Sequence, residues 1–274
     1  MTANSVVASG GFDDLRSAQM RFLEEAAKLG PVHVWLWSDA AIARLEGRKA
    51  KFPQAEREYV LRAIRYVDAV CLGCDPTEPD CLALPDGWRS AAWVVEEASD
   101  NRAKRAYCQA HGLQYRVLRS EDLRGLPGEL PDPPAASARK RVLVTGCYDW
   151  FHSGHVRFFE EVSELGDLYV VVGHDANIKL LKGAGHPLFP EGERRYLVQS
   201  IRYVTQALVS TGQGWLDAEP EIRRIKPHIY AVNEDGDRPE KRQYCEAHGI
   251  EYRVLKRRPK EGLPRRQSTD LRGF

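Results

Sequence analysis

The sequence predicts an α/β protein of two tandem domains, each a parallel sheet flanked by helices. Two observations predict it. An internal repeat divides the 274 residues into halves, and in each half short β-branched apolar runs alternate with segments of helical period. Lys104 to Leu118 returns as Lys241 to Leu255, Phe52-Pro53 as Phe189-Pro190, Ile64 to Val67 as Ile201 to Val204, and Gly125-Leu126-Pro127 as Gly262-Leu263-Pro264. Order and spacing are kept throughout, the mark of a tandem duplication. Residues 128–138, rich in proline and small residues with no apolar period, read as a linker. The domains are then 1–127 and 139–274.

In the second half Arg141–Thr145 reads as a buried strand. His155 to Leu165 carries Val156, Phe158, Phe159 and Val162 at helical spacing and stops at Gly166. Leu168–Val172 is a second strand, Glu193 to Val204 an amphipathic helix, and His228–Val232 a third strand. Arg238 to His248 is a helix closed by Gly249, and Glu251–Leu255 is a fourth strand. Such alternation builds parallel sheets with helices on both faces, and their ligands sit at the carboxyl ends of the strands. A site is therefore expected among the loops after Thr145, Val172 and Val232.

Lys+Arg 40 against Asp+Glu 39 leaves the chain almost neutral, which argues against a protein that coats nucleic acid by bulk charge. The exception is a basic run through Lys256, Arg257, Arg258, Lys260, Arg265, Arg266 and Arg272, a pattern whose usual meaning is a solvated face. No apolar stretch approaches the roughly 20 residues of a membrane helix. Met1 to Phe12 lacks the features of a signal peptide. A cytoplasmic protein with its six cysteines reduced is expected.

The chemistry-bearing stretch follows the first strand of the second half: Thr145-Gly146-Cys147-Tyr148-Asp149-Trp150-Phe151-His152-Ser153-Gly154-His155, running straight into a helix. A helix N-terminus offers unpaired N–H groups and partial positive charge to phosphate. Gly146 would allow a tight turn and Gly154 would let a nucleotide lie against the backbone. Two imidazoles three residues apart share one side of the first turn.

This stretch resembles the HxGH signature of the cytidylyltransferase-like nucleotidyltransferases. Asp175-Ala176-Asn177, Lys182-Gly183, Pro190 with Arg194, and Gln267-Ser268-Thr269-Asp270-Leu271-Arg272 are similar to that family's later motifs, in the same order. The resemblance covers 141–274 and implies a Rossmann-like fold of the HUP type. Class I aminoacyl-tRNA synthetases carry a similar histidine motif, but no Lys-Met-Ser-Lys-Ser segment is present and the only methionines are Met1 and Met20.

The implied reaction is attack of a phosphomonoester oxygen on the α-phosphate of a nucleoside triphosphate, with release of pyrophosphate; positioning and charge stabilisation dominate such transfers. By resemblance His152 and His155 stabilise charge on the α-phosphate and departing pyrophosphate, and Lys182 neutralises the reacting phosphates. Thr145, Gly146, Cys147, Tyr148, Asp149 and Gly154 form the nucleotide-binding turn. Asp149 has the alternative of capping the loop. Ser268 and Thr269 hold the outer phosphates, cap a short helix, or do both. Arg194 and Arg272 are further phosphate ligands. Asn233 and Glu234, with Asp235 and Asp237, follow the third strand, near where relatives place base and ribose, although Asn233 to Asp237 lacks the usual leading glycine. Mg²⁺ bridging the phosphates is expected, no metal site built from protein side chains is assigned, and homodimers are common in the family.

With Phe22 set against Phe158, Gly10 stands opposite Gly146, Phe12 opposite Tyr148 and Asp13 opposite Asp149. Arg16, Ala18 and Gln19 then replace His152, Gly154 and His155. The first half is expected to keep the fold and lack catalysis. Its Cys71-x-x-Cys74 with Cys81 is one ligand short of a tetrahedral zinc site, so reduced thiols are favoured. The leading function is nucleotidyl transfer to a phosphorylated alcohol or sugar, with CTP slightly favoured by the loose similarity of Arg257 to Leu263 to a cytidylyltransferase segment. ATP on a sugar phosphate, or a non-catalytic nucleotide-binding regulator, is the alternative.

Overall fold

The computed structural model describes residues 5–83, 91–129 and 137–271. Two compact units divide between Gly125 and Leu126. The first contains β1 (Val6–Gly10), α1 (Ser17–Ala27), β2 (Val32–Leu36), α2 (Asp39–Glu46), α3 (Gln54–Arg62), β3 (Ala69–Cys71), β4 (Ala92–Glu96), α4 (Arg102–His111) and β5 (Gln114–Leu118). The second contains β6 (Arg141–Gly146), α5 (Ser153–Ser163), β7 (Asp167–Val172), α6 (Asp175–Lys182), α7 (Glu191–Gln199), β8 (Val204–Val209), α8 (Glu219–Ile225), β9 (Ile229–Asn233), α9 (Pro239–Ala247) and β10 (Glu251–Leu255).

Both sheets are wholly parallel and share one order, β3-β2-β1-β4-β5 in the first unit and β10-β9-β6-β7-β8 in the second. Each unit is thus a Rossmann-like α/β layer structure. In the second unit Leu143, Tyr169, Val171, Tyr230 and Val232 bury one sheet face against Ile222 and Ile225 of α8 and Cys245 of α9. Val142, Val144, Val170 and Val172 point to the other face and are fully buried. The chain leaves β6 toward β7 and β8 on one side and returns through β9 and β10 on the other. That reversal opens a crevice above the carboxyl ends of β6 and β9.

The four strands read from the second half are present within one residue of their expected ends. The helix expected from Glu193 to Val204 is shorter: α7 stops at Gln199, and Val204 opens β8. An apolar run placed directly after a helix had masked the strand. Helix α5 begins at Ser153, not His155, because His152 supplies the cap. Gly166 lies beyond the end of α5 and serves close packing instead, since a Cβ there would stand 2.1 Å from Lys140 O. Pro127 O accepts from Arg195, and the Glu129 carboxylate accepts from Val209 N–H at 3.1 Å on the edge of β8. Residues read as domain end and linker start are therefore packed on the second unit, while 130–136 of the linker lie outside the described residues. No helix among the described residues is long and apolar enough to cross a membrane.

One side chain ties the loops of the second unit together. Arg194 is 2% exposed and donates to Phe189 O at 2.8 Å, Cys147 O at 2.6 Å, Gly173 O at 2.8 Å and the Asp175 carboxylate at 2.7 Å. Four of its five N–H groups are thereby used. Arg57 repeats the pattern in the first unit, with Phe52 O, Gly11 O, Trp37 O and Asp39 as acceptors. Breaking such a buried network leaves several carbonyls unpaired, so Arg194→Met should lower unfolding free energy by about 3 kcal/mol. Arg194→Lys should recover little of it, because an ammonium cannot span a planar fork of acceptors. Urea unfolding of the three proteins checks this; a methionine variant as stable as wild type would refute the role.

Candidate functional site

The turn after β6 is held by side chains that leave its backbone facing the crevice. Tyr148 takes φ +55°, and its buried ring folds back across Gly146. A Cβ at Gly146 would meet that ring at 2.6 Å. The glycine is therefore required for ring clearance, and the left-handed residue is Tyr148 rather than Gly146. Asp149 accepts from the N–H groups of Leu188 at 2.8 Å and Phe189 at 3.0 Å, so its carboxylate ties down the loop before α7. Thr145 Oγ1 pairs with Tyr230 Oη at 2.8 Å.

His152 is 3% exposed and caps α5, its Nδ1 accepting from Gly154 N–H at 3.1 Å. A Cβ at Gly154 would lie 2.9 Å from that ring; the glycine makes room for the cap, and it also lines the cavity described below. Because Nδ1 accepts, the neutral ring carries its proton on Nε2. Nε2 lies 3.5 Å from Ser268 Oγ, which is 3.3 Å from Trp150 O. Burial, then the charges of Arg257 and Arg266, push the His152 pKa down to about 3.

His155 stacks on His152 with ring centres 4.0 Å apart and 22° between planes. Tyr148 and Phe151 flank it at 5.3 and 5.4 Å. Its pKa is also well below the ordinary range, from burial first, then His152, Arg257 and Lys182. Both rings are neutral at pH 7. Among the described residues the buried Nδ1 of His155 has no hydrogen-bond partner.

His155 and Tyr148 border a cavity of about 390 Å³ at the carboxyl ends of β6 and β9. Thr145, Gly146, Cys147, Tyr148, Asp149, Gly154, His155, Lys182, Asn233 and Ser268 all line it, as the sequence led one to expect. Lys182 reaches it from the last turn of α6. Burial pushes the Cys147 thiol up against the opposing pull of Lys182 and Arg194, which leaves it protonated. His152 stands behind the wall, touching the site through Nε2 and Ser268.

Two expected ligands are not brought to the cavity. Arg194 is spent on backbone carbonyls, and the same arrangement at Arg57, in a unit without the histidines, marks it as structural. Glu234 is exposed, and its carboxylate accepts from Arg257 N–H at 3.3 Å. Ser268 opens a short 3-10 helix, Ser268–Leu271. Nothing is described of the Thr269 side chain, and Arg272 lies outside the described residues. The cavity also recruits Trp150, Phe158, His186, Lys241, Arg257 and Gln267. Trp150 sat inside the motif and Arg257 inside the basic run, but Lys241 gave no signal beyond its place in the repeat.

In the first unit Phe12 takes φ +46° where Tyr148 does, and Asp13 accepts from Lys51 N–H and Phe52 N–H as Asp149 does in its loop. Arg16 caps α1 in the place of His152, with its N–H bound to Gln19 Oε1 at 3.0 Å. The frame is duplicated, and the imidazoles are not. Cys74 and Cys108 are buried together in this unit's core, and among the described residues no three His, Cys, Asp or Glu side chains are grouped to hold a metal.

Comparison with known proteins agrees with this geometry. The cytidylyltransferase-like family model matches residues 143–258. The FAD synthase of Ferroglobus placidus is 35% identical over 125 residues, 44% of this chain and 78% of that protein. The FAD synthase of Thermococcus kodakarensis is 34% identical over 119 residues, 42% of this chain and 78% of that protein. The bifunctional protein HldE of Methylococcus capsulatus is 36% identical over 104 residues, 37% of this chain and 21% of that longer protein. With its strand–turn–histidine cavity and relatives of this kind, the chain belongs to the cytidylyltransferase-like superfamily and is a nucleotidyltransferase.

Proposed function

We propose that the second unit transfers an adenylyl group from ATP to a small phosphomonoester and releases pyrophosphate. The observation that carries this reading is the single cavity wall that joins Gly154 at the start of α5, His155, Ser268 and Lys182, where the positive end of a helix, a hydroxyl and an ammonium suit a triphosphate. ATP rather than CTP is supported by the relatives named FAD synthase: FAD contains an adenylyl group, which its synthase must install. The cytidylyl preference drawn from Arg257 to Leu263 has no comparable support. Trp150 and Phe158 in the wall suit an acceptor with a flat apolar part linked to its phosphorylated alcohol or sugar.

In this reaction an acceptor phosphate oxygen attacks the α-phosphorus, and the bond from that phosphorus to the bridging oxygen of the β-phosphate breaks. His152, through Nε2–H, and His155 donate to the oxygens on which charge grows. Lys182 offsets the meeting of two anions, and Ser268 holds the outer phosphates, with Thr269 and Arg272 assigned beside it from the sequence. The carboxylates near the cavity are engaged, Asp149 by backbone N–H groups and Asp235 by Arg257. Mg²⁺ fits this donor set only as an ion carried by the triphosphate and water, where it would neutralise phosphate charge. The first unit, with Arg16 and Gln19 in place of the imidazoles, is assigned no catalysis, giving one nucleotide site per chain.

A panel of triphosphates and phosphomonoesters, read by pyrophosphate release, should show ATP preferred over CTP. His155→Ala should lower kcat by about 10²–10³-fold, the cost of losing one preorganised donor, with the fold retained as judged by circular dichroism. Preference for CTP, or full activity in the variant, would refute the respective assignment; nucleotide binding without any pyrophosphate would make the chain a binding protein.

The neutral imidazoles also set a pH dependence. His152 has a folded pKa of about 3 against an ordinary 6.5, so between those values the unfolded chain binds a proton that the folded chain does not. Stability is then full above pH 6.5 and is lost as pH falls, by about 1.4 kcal/mol per unit for this ring. Asparagine also caps helices, so His152→Asn should flatten the decline of melting temperature between pH 7 and 5. Equal slopes for the two proteins would overturn this account.

A further inference from the structure

Lys241 belongs to the repeated segment, and its two copies are used differently. In the first unit Lys104 Nζ donates to Ser99 O at 3.0 Å and to the Asp80 carboxylate at 2.8 Å. In the second, Lys241 Nζ keeps the equivalent backbone bond, to Gly236 O at 3.3 Å. The residue matching Asp80 is Asp217, but its carboxylate is taken by Ser210 Oγ at 2.6 Å and acts on Lys241 only at longer range. Among the described residues no carboxylate forms an ion pair with Lys241. Its ammonium lies 5.8 Å from the centre of the Tyr230 ring and lines the cavity. One copy of the lysine is neutralised by the protein. The other has no carboxylate partner among the described residues and borders the cavity.

Sheet order says which part of the ligand. The phosphate-binding groups gather at the α5 N-terminus and at Lys182, which follows β7, whereas Lys241 follows β9. Strands β7 and β9 flank β6 on opposite sides, so their ends stand about 10 Å apart at normal strand spacing, close to the reach from an α-phosphate to its base. Around Lys241 the wall is formed by Asn233, Gly236 and the Arg257-paired Asp235, a surface with little net charge to attract a polyphosphate.

We propose that Lys241 Nζ donates to the nucleoside part of the bound nucleotide, a base nitrogen or ribose oxygen, and thereby sets affinity for the nucleoside rather than for the phosphates. This rests on the nucleotide-transfer reading of the cavity. An ammonium bonded to a neutral acceptor in a partly desolvated site is worth about 10-fold or more in affinity.

The test compares full-length wild type with Lys241→Met by calorimetric titration of ATP and of inorganic tripolyphosphate. The variant should bind ATP about 10-fold more weakly, with tripolyphosphate changed less than about 2-fold. Its KM for ATP should rise while kcat holds. Lys241→Gln, whose amide can keep the bond to Gly236 O, should show the same split should the methionine variant be unfolded. Equal weakening of both ligands would make Lys241 a phosphate contact, and no change in either would reduce it to a support for Gly236; both outcomes overturn the proposal. A wild type that binds neither ligand would refute the cavity's reading as a nucleotide site as well, which separates the two failures.

Discussion

Everything at the mouth of the second sheet hangs on a guanidinium buried where three loops meet. Arg194 holds the turn after β6 through Cys147 O, the turn after β7 through Gly173 O and Asp175, and the approach to α7 through Phe189 O. Asp149 grips that approach by the N–H groups of Leu188 and Phe189. A cation and an anion thus clamp one loop through opposite ends of its peptide groups. Neither charge is left unpaired, which is the condition under which buried ions are tolerated. With the loops fixed, Tyr148 can be forced into a left-handed conformation, and the two imidazoles can stack at the start of α5.

The first unit separates this frame from the chemistry mounted on it. Arg57, Asp13 and Phe12 reproduce the clamp and the left-handed residue, although Arg16 and Gln19 replace the histidines. The loop architecture therefore forms without the reactive groups. The same comparison reassigns Arg194 from phosphate ligand to strut, a distinction that the motif alone could not make because both roles call for an arginine in the same place.

The fold was legible where a single physical period ruled. Buried parallel strands such as Leu168–Val172 are apolar on both faces and stand out, and the repeat exposed the domain plan. Strand β8 was hidden because Val204 continues the apolar rhythm of α7, and periodicity does not register a turn between them. In the site, the residues of the histidine turn were legible because their spacing is chemical. The reasons for Gly146 and Gly154 were not, since each answers to a ring two residues away, Tyr148 and His152. Lys241 was the least legible: what distinguishes it from Lys104 is the hydrogen bond of a distant partner, Ser210 to Asp217, which no local pattern encodes.

The cap that His152 places on α5 also fixes what that ring can do. With Nδ1 committed to Gly154 N–H, the ring has a fixed polarity and cannot take up a proton without loosening the first turn of its own helix. Such a ring cannot generate a nucleophile. A phosphomonoester, the acceptor class proposed above, needs no such base, because its second pKa of about 6 leaves it already charged. In the proposed reaction the helix cap thus leaves His152 to act on phosphate as a donor and not as a base.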